Sequence, residues 1–120
     1  MNTRAELGQV APFLPIGLDM ERAVVFYEQE LGFEKVREGG RFVTVVRDGA
    51  KLILAKDDNE DLAKGLMLRV DVEDIDALYK EYQKKNIPHL GEIETQSWGG
   101  RAFSLKDPWE ILFWFCEPIQ

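Results

Sequence analysis

Residues 19–33 read DMERAVVFYEQELGF, a helix with its own start and stop signals. Asp19 is suited to the N-cap, where its carboxylate takes up a free backbone N–H of the first turn. Met20, Ala23, Val24, Tyr27 and Leu31 then recur at helical spacing and form one apolar stripe. Gly32 ends the run, because glycine takes the left-handed conformation at little cost. The spacing predicts a helix over Met20–Leu31. Outward from it the chain turns strand-like. Ala11–Gly17 precedes the helix, and Phe33–Arg37, Arg41–Arg47 and Lys51–Lys56 follow it, divided by Gly39–Gly40 and Asp48–Gly49. Glycine-containing pairs between β-rich runs supply the positive φ that hairpin turns need.

The same order then repeats. Leu66–Val70 reads as a strand and Glu73–Lys85 as a helix, with Val72, Ile75, Leu78, Tyr79 and Tyr82 on its apolar face. Asp71 or Glu73 opens that helix, Lys84 and Lys85 suit its negative end, and Asn86 and Pro88 stop it. Three strands follow, His89–Thr95, Arg101–Leu105 and Ile111–Phe115, divided by Gly99–Gly100 and Asp107–Pro108. Asp19 and Asp71 stand 52 residues apart, as do the triplets Phe26–Tyr27–Glu28 and Leu78–Tyr79–Lys80. The reading is an internal repeat of about 55 residues. It predicts an α+β fold: one domain, 1–120, made of two βαβββ units (about 9–56 and 65–117) joined by an acidic linker, 57–64. Either unit alone is too small to bury an adequate core, so the units pack on each other or on a second chain.

Composition sets the outer limits. The chain has 120 residues, 45% hydrophobic and 31% charged, the balance of a soluble globular protein. No run of about 18 apolar residues is present and no export signal is visible, so a cytoplasmic protein with no membrane contact is expected. Cys116 is the single cysteine, which excludes an intrachain disulfide. Fifteen basic against 22 acidic residues give a net charge of −7. That disfavours nucleic acid and draws cations, although solubility alone also accounts for it. There is no glycine-rich phosphate loop and no nucleophile elbow. Ser97 and Ser104 have no evident histidine partner, and His89, the one histidine, cannot hold a catalytic metal by itself.

Three segments carry a family resemblance: RAVVFYEQELGF at 22–33, VDVEDIDALY at 70–79 and WGGRAFSLKDP at 98–108. In this order and spacing the chain resembles the vicinal oxygen chelate superfamily, which includes glyoxalase I, extradiol dioxygenases and bleomycin resistance proteins. The resemblance implies a curved, mixed sheet around a crevice. Metal-dependent members place His and Glu on the first and last strands of each unit. Those positions fall here on Pro12 or Phe13, on Ala55, on Gly65 or Leu66, and on Trp114. None is a divalent-metal ligand. The departure matches the metal-free bleomycin resistance branch, and it implies no cofactor, no metal and no catalytic residue. It also implies a homodimer that confers antibiotic resistance by sequestering a planar, cationic small molecule in a crevice between two chains. Two other readings stay open: a glyoxalase- or dioxygenase-like enzyme of the same fold, and a structural dimer module that has lost its pocket.

The candidate ligand-binding residues follow from the aromatic cluster near the C-terminus. Trp98, Phe103, Trp109, Phe113, Trp114 and Phe115 lie close together in sequence. Alternation in the last strand puts Glu110, Leu112 and Trp114 on one face. If that face lines the crevice, Trp114 either lines it or plugs it. Trp98 stands beside Gly99 and Gly100, which let a flat ligand approach the backbone, and a dimer contact is the other reading. In the dimer that the resemblance implies, Phe33 and Phe42 of one chain come toward Trp98 of the other. The full candidate set is Trp98, Gly99, Phe33, Phe42, Phe103, Glu110 and Trp114. Glu34, Glu38 and Glu110 are available as negative charge for a cation, or simply as solvated carboxylates.

Overall fold

In the computed structural model residues 4–119 are described. Strand β1 (Phe13–Pro15) leads into helix α1 (Met20–Val25), and β2 (Glu34–Gly39), β3 (Phe42–Arg47) and β4 (Ala50–Ala55) follow. The second unit is β5 (Met67–Asp71), α2 (Ile75–Gln83), β6 (Glu94–Thr95), β7 (Arg101–Lys106) and β8 (Leu112–Glu117). Two four-stranded mixed sheets result, ordered β1-β4-β3-β2 and β5-β8-β7-β6. In each, the first strand of the unit pairs parallel with the last, and the other pairs are antiparallel. The fold is the α+β arrangement of two βαβββ units that the repeat predicts.

Period-two alternation decides what each sheet buries. Leu14, Val43, Val45, Leu52 and Leu54 point inward from the first sheet, and Phe103, Leu105, Phe113 and Phe115 from the second. Both sets join Ala23, Phe26, Tyr27, Ile75 and Tyr82 of the helical segments in one apolar cluster. Each fully buried large side chain contributes roughly 1.5–3 kcal/mol. Because both sheets turn one face to this shared core, the other face of each points away from it.

Polar bonds tie the units across the core. Arg47 on β3 forms a bidentate pair with Glu81 on α2, at 2.7 and 2.8 Å. Asp107, 1% exposed, accepts the backbone N–H groups of Trp109 (2.9 Å) and Ile111 (2.8 Å) and the hydroxyl of Tyr27 (2.7 Å). Both oxygens of that buried carboxylate are hydrogen-bonded, as burial of a charged group requires.

Three elements differ from the sequence reading. Helix α1 has the Asp19 cap, which accepts from Arg22 N–H, but it runs on from Val25 as one π-helical turn, Phe26–Glu30. The wider turn, closed by Leu31 N–H on the Phe26 carbonyl, brings Phe26, Tyr27 and Leu31 into the core together. Helix α2 is capped by Asp74, not by Asp71 or Glu73. Its side chain accepts from Ala77 N–H, whereas Asp71 is the last residue of the β5 ladder. The run from His89 to Thr95 is strand only at Glu94–Thr95. Pro88 lacks an N–H for a ladder, and His89, exposed in a turn, takes a φ of 52°.

Candidate functional site

The two outward faces carry the exposed aromatic and apolar side chains. On the first sheet, Phe13, Ile53, Thr44 and Arg37 share one cross-strand row, and Pro15, Ala55, Phe42 and Gly39 share the next. Phe13 and Phe42 are 59% and 47% exposed and meet edge to face with centroids 5.4 Å apart. Lys51 and Glu34 flank Val46 on the same face.

On the second sheet the outward rows are Met67–Leu112–Lys106, Arg69–Trp114–Ser104 and Asp71–Cys116–Ala102. Trp114 is therefore the centre of a three-by-three patch, partly exposed and lining the face. The Trp98 ring folds back from its turn over Gly100, where any Cβ would strike the six-membered part of the indole. Gly99, with a φ of 96°, turns the chain there, and a Cβ on it would lie 2.8 Å from Ile119 Cδ1. Gly100 thus leaves room for the Trp98 ring against the backbone, with 41% of the residue still exposed. Arg69 lies over the ring, its guanidinium carbon 5.3 Å from the centroid, and its Nε donates to Asp71 Oδ1 at 2.9 Å. Beneath this group Cys116 is buried, and desolvation pushes its thiol above the ordinary range, so it is a poor nucleophile.

The sequence candidates divide between these faces and the core. Trp98, Gly99 and Trp114 come together on the second sheet, and Phe42 lies on the first. Phe33 and Phe103 are core residues. Phe33 packs edge to face on Tyr27, and Phe103 stacks on Phe115 and meets Tyr79 and Tyr82. Alternation explains Phe103, since it pairs with Phe115 on the helix-covered side, not with Trp114. Glu110 sits in the β7–β8 turn with a φ of 73°, its carboxylate 4.0 Å from Lys64. Glu38 is paired with Lys35 at 2.9 Å. The charge beside Trp98 is a guanidinium, and the proposed carboxylates do not gather around it. Arg69, Phe13 and Met67 are the residues of these faces that sequence reasoning missed. The alternation of β5 against Trp114 was the available signal for Arg69.

A larger cleft of about 980 Å³ opens between the units on the core side, bordered by Gln9, Val10, β5 and α2. Aromatic residues line it at Phe33, Tyr82 and Phe115, but each of them is less than 10% exposed. A flat ligand finds no open ring there, and the outward faces are the better site.

The positions where the resemblance expects metal ligands, Pro12 or Phe13, Ala55, Gly65 or Leu66, and Trp114, carry no side-chain donor atom for a divalent ion. Among the described residues, no group of three or more His, Cys, Asp or Glu side chains is placed to hold one. The residues present do not fit a catalytic metal. Among the described residues, no helix is long and apolar enough to cross a membrane.

The family model described as the glyoxalase/bleomycin resistance protein/dioxygenase superfamily matches residues 13–115. Among solved structures, the chain is similar to a bleomycin-binding protein from bleomycin-producing Streptomyces verticillus, complexed with copper(II)-bleomycin. The two share 22% identity over 97% of this chain and 100% of that one, with a TM-score of 0.83. It is also similar to the bleomycin resistance determinant encoded on the transposon Tn5, at 23% identity over 95% of this chain and 100% of that one, TM-score 0.85. At that identity the likeness concerns the fold. A superfamily member from Sphaerobacter thermophilus is 31% identical over 93% of this chain and 98% of that one, with a TM-score of 0.69. No curated protein matches the chain.

Proposed function

The chain belongs to the glyoxalase/bleomycin resistance protein/dioxygenase superfamily, and from that premise we propose that it is a small-molecule-binding protein of the bleomycin-resistance kind. It holds a planar ligand in a crevice completed by a second copy of itself, within a reducing cytoplasm. One observation carries the reading: the outward face of the second sheet presents Trp114, where the resemblance expects a metal ligand, together with a glycine-seated Trp98. Flat aromatic surface with few polar groups is what a binding site for a planar molecule requires. Among the described residues no group on this face is arranged as a nucleophile with its base, which supports ligand retention as its role.

Dimension supports the second copy. A folded monomer of 13.8 kDa is expected to expose about 6,600 Å², and this chain exposes 8047 Å². Its radius of gyration is 15.6 Å, against about 13.6 Å for a compact chain of this length. Part of the excess is the extended segment before β1, and part is the pair of outward faces. The excess is larger than the roughly 800 Å² each partner buries in a standard interface. A two-fold pairing that sets Phe13 and Phe42 of one chain over Trp98 and Trp114 of the other covers both faces and makes two equivalent crevices.

Titration calorimetry of the purified protein against bleomycin and a panel of aromatic acids, amines and neutral rings tests this. One ligand per chain is the expected stoichiometry. Absence of binding across the panel, with a dimer intact, would favour the structural module that has lost its pocket.

A further inference from the structure

Resting on the reading of the second sheet's outward face as a small-molecule site, we propose that its ligand is an aromatic carboxylate, received by the Arg69 guanidinium. The side chain is already arranged as a receptor. It lies over Trp98 with its guanidinium carbon 5.3 Å from the ring centroid, and Asp71 holds its Nε at 2.9 Å. Its two terminal nitrogens make no hydrogen bond among the described residues. They form a free planar fork, and Trp114, the central residue of the face, is the cross-strand partner of Arg69. A guanidinium fork matches a carboxylate with two parallel bonds, and holding it in advance lowers the ordering cost of binding.

The surrounding charges point the same way. Lys106 stands on this face in the row of Met67 and Leu112, and no ion pair engages it among the described residues. Asp71 is occupied by Arg69, and Glu94 lies out on the short strand β6. A flat cation seeking Trp98 meets a guanidinium on the ring it needs, so the two must compete. The net charge of −7 does not reverse this. The acidic groups at Asp57, Asp58, Glu60 and Asp61 are in the connection between the units. Their influence beyond about 8 Å is largely screened at physiological ionic strength. The ligand ring then rests on Trp114 and Leu112, and its carboxylate meets Arg69 edge-on.

Three probes that share one ring separate the possibilities: naphthalene-2-carboxylate, naphthalen-2-ylmethylammonium and the neutral naphthalene-2-methanol. Each is titrated calorimetrically into the parent protein and into Arg69→Gln, an exposed substitution on an edge strand whose fold is checked by circular dichroism. The carboxylate is expected to bind at least about tenfold tighter than the ammonium probe, the lower range for a hydrogen bond to a charged group. Arg69→Gln is expected to remove that advantage while leaving the neutral probe's affinity unchanged. Tighter binding of the ammonium probe, or a carboxylate affinity that Arg69→Gln leaves unchanged or raises, overturns the assigned ligand class and leaves the site standing. If none of the three binds, this inference falls, and the binding function stands or falls with bleomycin and the wider panel.

Discussion

Tyr27 and Tyr82, 55 positions apart, make reciprocal bonds between the two units. The Tyr27 hydroxyl donates to Asp107 of the second unit at 2.7 Å, and the Tyr82 hydroxyl donates to the Leu31 carbonyl of the first at 2.9 Å. The same offset separates the helix caps Asp19 and Asp74. Both rings are fully buried, and burial holds both hydroxyls protonated far above neutral pH. The repeat thus places equivalent residues so that neither unit satisfies its core polar groups alone.

Removing one hydroxyl should destabilise the whole domain in one step. Tyr27→Phe takes a donor from a buried carboxylate, at a cost of about 1–3 kcal/mol. Each kcal/mol lowers Tm by roughly 4–8 °C in a domain near this size. Tyr82→Phe should cost less, because the Leu31 carbonyl still accepts from Arg47 at 2.8 Å. Urea unfolding read by fluorescence and by circular dichroism should give coincident transitions for both variants. Separate transitions would show that the units fold independently.

Acid should weaken the same junction. Hydrogen bonding from Arg47, opposed by partial burial, holds Glu81 below its ordinary value of 4.5. A lowered folded pKa contributes stability that is present above the unfolded value and lost as pH falls through the folded one. With the Glu81 side chain 38% exposed, solvent screening limits the contribution to about 1 kcal/mol or less. Tm should therefore fall below about pH 4.5, and Glu81→Gln should flatten part of that fall. A profile identical in parent and variant would remove Glu81 from the account.

Much of this was legible in the sequence. Caps, the tyrosine-bearing stripes and the glycine turns gave the strand and helix order. The cap and tyrosine that fit the repeat of about 55 residues are Asp74 and Tyr82, while Asp71 and Tyr79, three residues earlier, mimic them and give the offset of 52. Trp114 and Trp98 could be placed by alternation and by the turn. Phe103 could not be assigned to a face from its own strand, because Ala102, Phe103 and Leu105 are all buried and blur the period of two. Arg69 escaped notice because a charged residue on a short edge strand reads as solvated until the fold lays it on a tryptophan.

Gly100→Ala should expel the indole without unfolding the sheet. The added Cβ meets the Trp98 ring and stands 2.7 Å from the Glu117 carbonyl. Trp98 then loses both its seat and Arg69. Red-shifted tryptophan emission and a binding loss close to that of removing the ring are expected. An unshifted spectrum would mean that the ring is not seated on Gly100.

Assembly has a direct readout. Light scattering should give twice the 13.8 kDa chain mass, about 28 kDa, at micromolar concentration. Phe42→Lys, which puts a charge on the exposed face beside Phe13, should shift the population to monomer while the monomer remains folded. A parent protein of single-chain mass would contradict the shared crevice.

The central claim is that Trp98, seated on Gly100 and carrying Arg69, completes the planar-ligand site with Trp114, and calorimetric titration of naphthalene-2-carboxylate into parent and Trp98→Ala tests it most directly. Truncating a central aromatic anchor costs about 2 kcal/mol or more, equivalent to about thirtyfold in affinity. The account predicts one probe per chain in the parent and binding weaker by at least about thirtyfold in Trp98→Ala, with the mass in light scattering unchanged. Equal affinity in the two proteins would contradict it, and would make Trp98 a packing or interface residue.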